Sequence, residues 1–161
     1  MTRPLKKKPY AAESAKVELQ ITSPDFGYMQ PIPRQYTCDG ADINPQLDLG
    51  NIPPATVSLA IMMIDKDHGL ENFVHWVIWN IPVAGTIREV RVAGVTGTND
   101  HHQRSYRGPC PQYGIHRYFF KVFALDTILD LPPQSDGRNL EQAMAGHILG
   151  FGKIAGTYRR K

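Results

Sequence analysis

The chemistry of this chain concentrates in three stretches: Asp65-Lys66-Asp67, His75-Trp76-Val77-Ile78-Trp79-Asn80-Ile81-Pro82, and Gly108-Pro109-Cys110-Pro111-Gln112-Tyr113-Gly114-Ile115-His116-Arg117-Tyr118. Each sets acidic, imidazole or Gly/Pro groups at the end of an apolar run, so strand ends and turns carry the polar groups. A carboxylate beside an imidazole favours the protonated ring and makes it a donor to an anion. Asp65, His75 and His116 are therefore the leading binding candidates. A Gly/Pro loop beside them can present backbone N–H groups, and the absence of side chains at Gly108 and Gly114 lets a ligand approach closely. The plainer alternative is that each histidine is a structural group bonded to a carboxylate or a carbonyl.

Neighbouring residues read more simply. Asp67 is a rim group or, as the favoured reading, the ion-pair partner of a cation such as Arg117. Trp76 and Trp79 alternate across a strand and fill core or pocket wall. His101 and His102 sit in a polar loop as solvated residues, and His147 packs on a helical stripe. Catalysis finds little support. Ser58 and Ser105 lie in no G-x-S-x-G elbow, and Cys110 stands between two prolines with no activating neighbour in sequence. Asp65, Asp67, His75 and His116 have metal-binding atoms but no short ligand spacing, and no Walker or Rossmann glycine pattern occurs. The expectation is a protein without metal or cofactor and without catalytic activity. A phosphoester hydrolase using Asp65 and His75 as a base pair is the remaining catalytic alternative.

Thirteen prolines and fourteen glycines spread over 161 residues leave little room for long helices and imply a mostly β body. The formal charge of +3 resides in the ends. Without residues 1–14 and 159–161 the body holds 11 basic and 14 acidic residues, a charge of −3. A nucleic-acid face, which needs clustered Lys and Arg, is not expected. No stretch reaches the roughly 18 apolar residues of a membrane helix, and the expected location is the cytoplasm. There Cys38 and Cys110, far apart and without metal-type spacing, are expected as free thiols, though a disulfide is open to them if the fold brings them together.

Residues 1–14 read as a flexible basic lead, and 15–161 as one domain. A first strand covers 17–21 at period two, and Leu47 and Leu49 mark a short edge piece. Residues 57–64 are apolar on both faces, as in a central strand, and 73–81 form a second such run ended by Pro82. Pairing these two antiparallel across the loop 66–72 brings Asp65 close to His75. Residues 88–92 read as a further strand, 94–108 as a long polar loop, and 118–125 as an aromatic strand directly after His116. Asn139 caps a helix whose stripe is Leu140, Met144, His147, Ile148 and Phe151, with Gln142 at the capping-box position; Gly150 and Gly152 stop it, and 154–158 form the last strand.

These motifs resemble the phosphatidylethanolamine-binding protein (PEBP) family, in its bacterial and archaeal, Raf-kinase-inhibitor-like branch, over about residues 17–158. The carriers are Tyr36-Thr37-Cys38-Asp39-Gly40, Asp65-Lys66-Asp67, the run from His75 to Pro82, Tyr106-Arg107-Gly108-Pro109-Cys110-Pro111, His116-Arg117-Tyr118 and Gly156-Thr157-Tyr158. The resemblance implies a mostly β, antiparallel Greek-key β-sandwich with a short C-terminal helix and a small anion pocket. Asp65 matches the first acid of the family's D-P-D-x-P box, His75 the histidine before its long strand, and His116 with Tyr118 its H-R-Y box. Gly108, Pro109 and Cys110 match the loop closing the cavity, and with Tyr106 they are expected among the residues that bind the anion. The implied partners are a phosphate-like small molecule or phospholipid headgroup, with inhibition of a kinase or protease through loop 94–114 as the alternative. Lys66 and His68-Gly69 depart from the family pattern and add a cation and an imidazole to the pocket mouth.

Overall fold

The computed structural model describes residues 17–160, so the basic lead at 1–14 lies outside it. Its centre is the strand β5 (Ser58–Asp65), in which every residue is buried. Burial on both faces follows from its unbroken apolar sequence. β6 (Phe73–Ile81) runs antiparallel on one side of it and β9 (His116–Leu125) antiparallel on the other. β8 (Val95–Thr96) pairs with the far edge of β6, so four strands lie in the spatial order β9-β5-β6-β8. A fourth strand returning beside the first is the Greek-key arrangement the motifs implied.

β10 (Ile148–Tyr158) extends the sheet antiparallel to β9, while β1 (Val17–Glu18) and β3 (Gln30–Pro31) attach to β10 in parallel. The second sheet is small: β2 (Gln20–Thr22), β4 (Leu47–Gly50) and β7 (Thr86–Ile87), all antiparallel. The single strand expected at 17–21 is thus divided between the sheets at Leu19, whose amide bonds Phe151 before Ile21 pairs with Leu49.

Two apolar layers fill the body. One lies between the sheets, with Leu47, Leu49 and Ile87 of the small sheet against Leu59, Ile61, Met63, Phe120 and Val122. The other covers the opposite face of the large sheet, where Leu140 and Met144 of α1 (Gly137–Met144) pack on Ala60, Met62, Val77, Trp79 and Phe123. Period-two alternation sends neighbouring residues of β5 and β9 to opposite layers.

Three further expectations differ. The helix begins one turn earlier than Asn139: Asp136 is the cap, its carboxylate accepting from the Asn139 amide while the Asn139 side chain accepts from the Asp136 amide. Met144 ends it, because Gly146 turns the chain at φ 82° and Ile148 already pairs with Leu125. His147 consequently leaves the helical stripe and bonds Asp126 at 2.8 Å on the surface. Residues 88–92 form no strand, since Val90 and Arg91 both take left-handed backbone that a ladder does not accept. Cys38 and Cys110 are not free thiols but a disulfide, with Cα atoms 5.5 Å apart across a sequence separation of 72. Spacing in the chain gave no hint of that proximity.

Candidate functional site

Asp65 closes the central strand, and the register places it opposite Phe73 of β6 and Tyr118 of β9 at once. Period two sets Asp65, Tyr118 and His116 on the face that meets the small sheet. His75 arrives by a different device. Met63 pairs with Trp76 but Ile64 pairs with Val74, so His75 is the extra residue of a β-bulge. A bulge re-aims a side chain, and here both His75 and Trp76 become buried.

The polar groups converge. His116 Nδ1 lies 2.6 Å from Asp65 Oδ2, and Asp65 Oδ1 accepts from the Asp67 amide at 2.8 Å. The carboxylate is 2% exposed, so this imidazole and one amide replace its water. Tyr118 stacks on His116 with ring centroids 6.3 Å apart and meets His75 edge-on at 5.4 Å, so it stands between the two imidazoles. Its hydroxyl is buried and meets no partner at full hydrogen-bond geometry, its nearest polar neighbours being the Asp65 carboxylate and the Cys110 backbone. Burial, and then the Asp65 charge, hold that phenol well above its ordinary pKa, so it remains an O–H donor.

His75 contradicts the expectation of a cationic ring. Burial lowers its pKa from 6.5 to about 4, against the opposing influence of the Arg107 carbonyl, so the ring is neutral at pH 7. Its Nδ1 stands 2.8 Å from that carbonyl. A carbonyl only accepts, so Nδ1 carries the proton and Nε2 carries a lone pair.

Around this core the loop 97–108 is organised rather than loose. Asn99, buried, accepts from the amides of His101 and Gln103 and donates to the carbonyls of His75 and Ser105. His101, expected in solvent, packs edge-on against His75 at 5.4 Å and Phe73 at 4.9 Å, with its Nε2 unpartnered. Burial lowers its pKa, and Arg107 lowers it further. Nothing in the sequence distinguishes His101 from His102. His68 packs on Phe73 with centroids 4.1 Å apart and the rings tilted by 36°, so it does join the mouth, whereas Lys66 lies 4.7 Å over the Phe119 ring on the other layer's side. Asp67 has the ion-pair role, binding Arg117 through both carboxylate oxygens at 2.9 and 3.0 Å.

The loop 108–110 is a wall rather than a row of free donors. The Gly108 amide donates to Asp42 at 2.7 Å and Pro109 has no N–H, so of the three only the Cys110 amide, beside the Tyr118 hydroxyl, is left as a donor, on a residue whose sulfur is bonded to Cys38. Gly108 is required by close packing, since a Cβ there would stand 2.0 Å from the Tyr36 carbonyl oxygen. Gly114 lies in an open turn with nothing within 4 Å of its Cβ position. Tyr106 packs on Trp76 and spends its hydroxyl on the Tyr36 carbonyl at 2.8 Å. Among the described residues no cluster of His, Cys, Asp and Glu could hold a metal ion. No helix among them is long and apolar enough to cross a membrane.

Fold and cluster together define the class: a Greek-key β-sandwich with a buried acid, two imidazoles and a phenol at one end of its central strands. The chain belongs to the phosphatidylethanolamine-binding protein family, whose model matches residues 22–159. It is 44% identical over 137 residues to a UPF0098 protein of Methanothermobacter thermautotrophicus, covering 80% of this chain and 91% of that one. A UPF0098 protein of Pyrococcus horikoshii is 40% identical over 157 residues, covering 91% and 79%. Among solved structures, a phosphatidylethanolamine-binding protein homologue from Chlamydia trachomatis superposes with a TM-score of 0.85 at 32% identity, covering 89% of this chain and 99% of that one. The E. coli protein YbcL shares the fold, at a TM-score of 0.81 and 24% identity over 90% of this chain and all of that one.

Proposed function

We propose that this protein is a non-catalytic binding protein whose Asp65, His75, His116 and Tyr118 hold a phosphate-bearing small molecule or group. The observation that carries this reading is Tyr118, its ring set between two imidazoles and its buried hydroxyl without a partner at full hydrogen-bond geometry. A buried donor of that kind is costly unless a ligand or water meets it. Asp65 orients His116 through Nδ1 and leaves its Nε2 to face a ligand oxygen. Gly108, Pro109, Cys110 and Tyr106 then shape the wall instead of binding. Titrating inorganic phosphate while following the imidazole signals tests it: His75 and His116 shift together at millimolar phosphate. If neither signal moves, the reading fails.

Inhibition of a kinase or protease through loop 94–114 is supported by one feature. Tyr113 is 84% exposed on a segment braced by the Cys38–Cys110 bond. Pull-down from a lysate with wild type and Tyr113→Ala distinguishes it, a partner lost in the variant being the expected outcome.

A further inference from the structure

Resting on that anion-pocket reading, we propose that the group held there is an oxyanion that still carries a proton, a phosphate or a phosphomonoester monoanion, which donates that proton as a hydrogen bond to His75 Nε2. A site for a fully ionised oxyanion such as sulfate would present donors alone. This one presents a donor, the Tyr118 hydroxyl, on one side and an acceptor on the other, while His116, whose Nδ1 donates to Asp65, offers an Nε2 that donates only when that ring carries a second proton. The acceptor is built in. The Arg107 carbonyl 2.8 Å from Nδ1 fixes the tautomer, and the Arg107 amide in turn donates to the His75 carbonyl at 3.2 Å. Asn99 donates to that same carbonyl, so the bulge and the loop hold the ring from both sides. His75 is 3% exposed, so water does not readily stand in for a missing ligand proton.

An oxyanion without a proton sets an oxygen lone pair against the Nε2 lone pair in a buried site. That is an unmade hydrogen bond with added repulsion, and it weakens binding about tenfold or more. Sulfate has no proton at neutral pH, and neither does a phosphodiester. Inorganic phosphate keeps one, and a phosphomonoester takes one up near pH 6.

The experiment compares inorganic phosphate, sulfate, dimethyl phosphate and methyl phosphate by calorimetry and imidazole shifts on the intact protein. At pH 7 phosphate binds at least tenfold tighter than sulfate or dimethyl phosphate. Methyl phosphate gains about tenfold between pH 7.5 and 5.5. Sulfate over the same range reports the other charges facing the ring: Asp65 from β5, His116 from β9, His68 from the 66–72 loop, and His101 and Arg107 from the 97–108 loop. Equal affinity for phosphate and sulfate, or a methyl phosphate profile that merely follows sulfate, overturns the inference and leaves the anion pocket standing. Binding of dimethyl phosphate as tight as phosphate assigns the site to diester headgroups and also overturns it. No binding of any of the four removes both readings.

Discussion

Neutrality of His75 has a consequence for stability that can be measured without any ligand. The unfolded ring takes a proton near 6.5, but burial holds the folded ring unprotonated down to about 4. Between those values the unfolded state binds more protons, so stability rises with pH across the window and is lost as pH falls through it. At about 1.4 kcal/mol per pH unit the full loss is roughly 3 kcal/mol, of which about 2 falls between pH 6.5 and 5, above the range where carboxylates protonate. Urea unfolding at half-unit intervals from pH 7.5 to 4 gives the profile. His75→Asn provides the control, because its amide nitrogen can still donate toward the Arg107 carbonyl while nothing at that position titrates. The variant's profile is flatter than wild type by about 2 kcal/mol over pH 6.5 to 5. Identical slopes would show that the ring charges freely in the folded protein. The tautomer argument, and with it the acceptor at Nε2, would then fall.

Three further outcomes follow from the packing. Reduction of Cys38–Cys110, or Cys38→Ser with Cys110→Ser, releases a loop closed over a separation of 72 residues, and the chain-entropy relation gives a loss of about 4 kcal/mol. Thermal unfolding with and without a phosphine reductant reads this as a drop of about 10 °C, and an unchanged midpoint contradicts it. Gly108→Ala forces a methyl group into backbone carbonyl at 2.0 Å and costs about 3 kcal/mol or more; circular-dichroism melts at wild-type stability would show that the loop yields without strain. Asp67→Ala breaks a bidentate but half-exposed pair with Arg117 and costs under about 1 kcal/mol in urea unfolding, whereas a loss of several kcal/mol would give it a larger role.

How much of the site was readable depended on whether the information lay along one strand or between strands. The apolar runs 57–64 and 73–81 announced paired central strands, and the loop between them brought Asp65 toward His75, as the register bears out. Alternation along His116-Arg117-Tyr118 gave His116 and Tyr118 a common face. Helix limits were misplaced because the apolar stripe from Leu140 to Phe151 persists after the helix ends. A strand buried on both sides and a helix stripe are indistinguishable there until Gly146 turns the chain.

Local period and residue type set the class of fold and the two-sided burial of β5, and they put the acid, the imidazoles and the phenol at strand ends. The states of those groups came from long-range contacts. The Cys38–Cys110 bond, the Gly108 amide spent on Asp42, the entry of His101 and the neutral ring of His75 all arise from contacts between segments far apart in the chain. Protonation and hydrogen-bond polarity follow from burial and from which carbonyl or carboxylate arrives beside a ring. Neither quantity exists until the chain has folded.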